Sequence, residues 1–131
     1  MFSLSITPRF SETDALGHIN NTVVPVWFES AREPIFKIFN PNLDLSKWNL
    51  IVAKIDVSFI AQMDYQAETE IRTYVEKLGN SSLTLKQQVV QNDKVAAEGF
   101  CTLVKFNYDV QKSEPIDDTE RKKLLEHQFQ A

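Results

Sequence analysis

The chain has 131 residues, 43% hydrophobic and 24% charged, which fits one domain able to bury its own core. Its formal charge is −4, which argues against nucleic acid as the main partner because phosphate recognition needs clustered Lys and Arg. Its three glycines, Gly17, Gly79 and Gly99, are too scattered for a dinucleotide fingerprint or a Walker loop, so classes built on those loops are excluded.

A single cysteine, Cys101, permits no internal disulfide and fits a reducing compartment, where a buried inert thiol is expected. The opening Met1-Phe2-Ser3-Leu4-Ser5-Ile6 has neither a basic start nor a long apolar core, so no signal peptide is expected. No run approaches a membrane span. These features predict one domain over residues 1–131, cytoplasmic and without a membrane partner.

In chain order, residues 2–10 read as an edge strand, where Pro8 is tolerated. Residues 11–21 read as a loop. Val24, Trp27, Phe28, Ala31, Ile35 and Ile38 then share one face of a helix. Asn20, Asn21 or Thr22 suits its N-cap, Pro25 fits the first turn, and Pro34 should kink it. Asn40-Pro41-Asn42 stops it. The aromatics Trp27, Phe28, Phe36, Phe39 and Phe59 are expected mainly in the core.

The period then changes. Ile51, Ala53, Ile55, Val57 and Phe59 alternate as one face of a half-buried strand, and Ala67 to Val75 repeat the pattern. Gly79-Asn80-Ser81-Ser82 turns into a strand beginning at Leu83. Asn92-Asp93-Lys94 turns again into a long strand from Val95 to Tyr108. Residues 117–128 read as a short charged helix docked by Leu124, Leu125 and Phe129. Short connections predict that the last four strands form an antiparallel meander. The helix, roughly 24 Å long, is covered only if the sheet curls around it. An edge strand and an outer face then call for a second subunit.

The chemistry concentrates in Thr13-Asp14-Ala15-Leu16-Gly17-His18-Ile19-Asn20-Asn21. A carboxylate beside a helix N-terminus can attack or activate water, while free backbone N–H groups hold developing negative charge. Asp14 is the candidate acid, and with His18 it lacks the further ligands a metal needs, so no metal or cofactor is expected. Glu29 and Arg32, three apart, are placed to pair on the helix surface. Lys112, Arg121, Lys122 and Lys123 read as a solvated charged face.

The run Phe10-Ser11-Glu12-Thr13-Asp14-Ala15-Leu16-Gly17-His18-Ile19-Asn20-Asn21, continuing into Trp27-Phe28-Glu29-Ser30-Ala31-Arg32, resembles the 4-hydroxybenzoyl-CoA thioesterase-like family. Gly79-Asn80-Ser81-Ser82 is similar to that family's G-x-x-S turn. The resemblance implies an α+β hotdog fold: an antiparallel, curled five-stranded sheet around one long central helix in the order β-α-β-β-β-β, with a short C-terminal helix. It implies hydrolysis of acyl-CoA, or of an acyl carrier protein thioester, by a homodimer or homotetramer.

In that resemblance Asp14 is the catalytic carboxylate, acting as nucleophile or general base. Asn21 offers a backbone N–H to the thioester carbonyl. His18 is a further catalytic candidate, matched to the last member of a related D-x-N-x-H motif in which Leu16 replaces the asparagine. Asn20, Phe59 and Ser82 are the substrate-binding candidates, Ser82 reaching the site across a dimer. Two other functions stay open on sequence: an acyl-thioester hydratase or dehydratase of the same fold, and a non-catalytic acyl-CoA binding module.

Overall fold

A computed structural model describes residues 1–130. An antiparallel sheet combines β1 (Phe2–Ile6), β2 (Leu50–Phe59), β3 (Thr69–Leu78), β4 (Ser82–Gln91) and β5 (Lys94–Asn107) in the order β1-β3-β4-β5-β2. A two-residue strand, β6 (Lys112–Ser113), pairs with the end of β5. Helices α1 (Val23–Ala31) and α2 (Glu33–Phe39) follow β1, and α3 (Asp118–Leu125) closes the chain.

The single long central helix of the sequence reading is therefore two short ones. Pro34 supplies no N–H to the carbonyl of Ser30, and its ring crowds that same carbonyl. The amide of Arg32 turns to Glu29 O at 3.1 Å, and α2 restarts with Pro34 in its first turn. The expected apolar face survives the break, with Val24, Trp27, Phe28, Ala31 and Ile35 all buried. Beyond the break Phe39 is buried and Ile38 only half-buried, because the change of axis rotates the face.

The expected meander holds only for β3-β4-β5. β2 pairs with β5 and not with β3, because residues 60–68 cross from one edge of the sheet toward the other. β2 is consequently an edge strand. Ile55 and Phe59 are 51% and 50% exposed, against the half-buried face read from their alternation, and Val52 is 47% exposed. The first strand also ends earlier than expected, at Ile6, and Phe10–Glu12 form a turn of 3-10 helix.

The core forms where the concave sheet meets the helices. Ile71, Val75, Leu85, Val89 and Leu103 from the sheet are fully buried beneath Val24 and Ile35. Gly99 permits the closest approach. A Cβ there would stand 2.9 Å from the Phe28 ring and collide with the Asp56 carbonyl. Leu124 of α3 docks into the second half of the core, while Leu125, expected beside it, is 48% exposed.

Arg32 corrects another expectation. Its side chain is buried and donates from Nη1 to Gln87 Oε1 at 3.1 Å, instead of pairing with the exposed Glu29. Cys101 is buried, as expected, and burial pushes its thiol above the ordinary value.

Candidate active site

The acid loop is closed by its own backbone. Asp14 N–H donates to His18 O at 2.7 Å, Gly17 N–H to Asp14 O at 3.3 Å, and Thr13 bridges to Ile19. Gly17 has φ +82°, a left-handed turn that a side chain would strain. Within this turn Asp14 Oδ1 accepts from the N–H groups of Leu16 at 2.8 Å and His18 at 3.1 Å. Asp14 Oδ2 makes no hydrogen bond among the described residues.

The loop's base rests on two supports. On one side, Ile19 N–H donates to Met63 O at 2.9 Å and His18 bridges to Asp64. Gln91 holds that crossover segment by accepting from Asp64 N–H at 2.9 Å and donating to Asp64 O at 3.1 Å. On the other side, Glu12 O accepts from Asn20 N–H at 2.8 Å, and Glu12 Oε2 accepts from the Trp27 indole at 2.9 Å. Glu12 is 7% exposed. Burial works to raise its pKa, but the Arg9 amide, the Trp27 indole and the Arg9 charge outweigh it and leave the carboxyl below its ordinary value.

Neither Glu12 nor Gln91 stood out in the sequence. The Arg9–Glu12 spacing was the available local signal. The partners Trp27 and Asp64 are supplied by the fold.

The start of α1 differs from the expected side-chain cap. Thr22 occupies the cap position with helical angles and no side-chain cap bond. Asn20 does the work instead, its Oδ1 accepting from Thr22 N–H at 3.0 Å and Thr22 Oγ1 at 2.9 Å. The amides of Val23 and Val24 donate to Asn20 O and Asn21 O, and Pro25 has no N–H to offer. The N–H of Asn21 is left with no acceptor among the described residues, at the positive end of the helix.

Asp14, His18, Asn20, Asn21 and Phe59 line one cleft of about 580 Å³. Leu16, Ile19, Ile60 and Met63 give it an apolar wall. Ser82 is not among its lining residues. It begins β4, whose other end carries Gln91, so a ten-residue strand of roughly 30 Å separates it from the acid loop in one chain. Arg121, read as part of a solvated face, donates to Gly79 O at 3.0 Å and ties α3 to the β3-β4 turn. Among the described residues no group of three or more His, Cys, Asp or Glu is arranged to hold a metal. No helix among them is long and apolar enough to cross a membrane.

Residues 8–124 match the family described as the thioesterase-like superfamily. The chain belongs to that superfamily. Within it, the structure of a predicted thioesterase from Bacillus stearothermophilus superposes with a TM-score of 0.94 at 45% identity, covering 99% of this chain and 98% of that one. A thioesterase from Thermus thermophilus, crystallised with coenzyme A and Zn, superposes with a TM-score of 0.81 at 27% identity, covering 93% of this chain and 95% of that one. The uncharacterized protein YsmA of Bacillus subtilis is 37% identical over 87 residues, 64% of this chain. The match spans 57% of YsmA's own length. The superfamily and its hotdog architecture account for the curled sheet wrapped on α1 and α2.

Proposed function

We propose that the chain is an acyl-CoA thioesterase, converting R–CO–S–CoA and water to a carboxylic acid and the free CoA thiol. One observation carries the reading. Asp14, whose Oδ2 is unengaged, and Asn21, whose N–H is unengaged, line the same partly apolar cleft. Asp14 acts on the thioester carbonyl directly or through a water, and Asn21 N–H receives the oxyanion. A donor of this kind is worth roughly 3 to 4 kcal/mol in the transition state. His18 holds Asp14 through its backbone N–H and lines the cleft. Phe59 and Asn20 contact the acyl thioester. A thiolate leaves readily, so the site needs no strong general acid.

The relatives support the coarser part, since two are thioesterases by description and one was crystallised with coenzyme A. An acyl carrier protein thioester offers the same reacting group. A homodimer or homotetramer built on the open edge of β2 buries the exposed Val52, Ile55 and Phe59, and a composite site of such an assembly is where Ser82 has its proposed role.

The test is Asp14→Asn assayed on a panel of acyl-CoA esters by thiol release. The expected result is a loss of about a hundredfold or more in kcat, with the melting temperature retained. Wild-type rates across the panel would remove Asp14 from the chemistry.

A further inference from the structure

We propose that Glu12 is a positioning residue for hydrolysis, clamping the Asp14 side of the acid loop to α1 and thereby setting the gap between the Asp14 carboxylate and the Asn21 N–H. The inference rests on the thioesterase reading and goes beyond it by naming how the site is held in register.

The hydrogen bonds inside the loop, Asp14 N–H to His18 O and Gly17 N–H to Asp14 O, fix its shape but do not tie it to the helix. The near side of the loop joins α1 through the chain itself at Asn20 and Asn21. The far side, which carries Asp14, reaches α1 through the side chain of Glu12 on the Trp27 indole. The same residue closes the neck, its carbonyl accepting from Asn20 N–H. Glu12 therefore touches both sides of the gap from two positions before Asp14.

Glu12 is suited to a fixed clamp. A buried carboxylate is costly unless each oxygen finds a donor. Oε1 takes the Arg9 N–H at 2.7 Å, Oε2 takes the Trp27 indole, and the Arg9 guanidinium lies 3.6 Å away. Satisfied oxygens and a lowered pKa keep the group charged across the neutral range, and burial restricts its motion. Glu12 does not line the cleft, so it acts through Asp14 and not on substrate. Glutamine would turn an amide N–H₂ toward one of these donors and break one end of the clamp.

Misplacement of reacting groups by about an ångström costs on the order of a hundredfold in rate. The experiment compares Glu12→Gln, Trp27→Phe and the double variant with wild type on one acyl-CoA, measuring kcat, KM, the pH profile and melting temperature. Asp14→Asn serves as reference. Trp27→Phe keeps an aromatic ring and removes the indole N–H, so it tests the clamp even if Glu12→Gln folds poorly.

The expected result is a roughly 10- to 100-fold fall in kcat for each single variant, KM within about threefold, and a double variant no worse than either single. Unchanged kcat in folded Trp27→Phe, with only a lower melting temperature, overturns the proposal and leaves Glu12 a stabilising residue. Loss of the acid limb of the pH profile in Glu12→Gln also overturns it, by making Glu12 a participant. Full activity in Asp14→Asn instead defeats the thioesterase mechanism, a separate outcome.

Discussion

Gln87 donates its Nε2 to the carbonyl of Phe28 at 2.9 Å, meeting a helical acceptor that the turn at Arg32 abandons. The same side chain accepts from Arg32 Nη1 and donates to Thr73 Oγ1 at 3.1 Å. One buried carboxamide from β4 thus meets the carbonyl freed by the break in the helix together with two buried polar side chains beside it.

Gln87→Leu should therefore lower stability well beyond a surface change. It strands Phe28 O and a buried guanidinium N–H, at roughly 1 to 3 kcal/mol for each unmet group. A urea denaturation midpoint within error of wild type would mean that relaxation or water replaces the carboxamide.

Gly99→Ala tests the closest contact between sheet and helix. The added methyl meets the Asp56 carbonyl and the Phe28 ring, backbone on one side and a buried aromatic on the other. The expected cost is about 1 to 3 kcal/mol, read as a drop in melting temperature.

Acid should reduce stability in two steps. His127 stacks on Phe2 and accepts from the Met1 ammonium at 3.0 Å. Burial first, and then that ammonium's charge, hold its pKa below the ordinary 6.5. The unfolded chain binds the proton more readily, so this contribution is complete above pH 6.5 and is lost as pH falls through the lowered folded value. Glu70, held down by Ser3 and Arg72, and Glu12 sit below their ordinary 4.5. Their contribution is complete above that value and is lost only at lower pH. A melting-temperature series against pH should show both steps, and His127→Gln should erase the first alone.

Ile55→Lys places a charge in the middle of the open β2 edge, where the isoleucine is already 51% exposed. The single chain should tolerate it, while association along that edge should fail. On the proposed assembly, sedimentation moves from an oligomer to a monomer, and an unchanged mass would overturn association along this edge.

Several elements could be read from residue order. The apolar stripe from Val24 to Ile35 and the alternation from Thr69 to Val75 lie where periodicity places them. Residues 11–21 read as a loop, and a left-handed turn at Gly17 closes that loop on the carboxylate. β2 misled because alternation reports one face of a strand but not whether a neighbour covers it. Ile55 has the pattern of a half-buried residue and lies at an edge. Arg32 misled for a related reason. Its i, i+3 partner Glu29 was visible, while Gln87, 55 positions away, was not.

Composition, hydrophobic period and the acid–glycine–histidine–asparagine run by themselves determined a small α+β domain with a carboxylate beside a helix start. These are local properties, set by each residue's own backbone geometry and nearest neighbours. Tertiary structure alone decided that β2 returns to β5, that the helix breaks and is mended by Gln87, and that Glu12 finds Trp27. Each of those contacts joins segments far apart in the chain. Their formation depends on how the curled sheet brings the segments together, which no short window of sequence encodes.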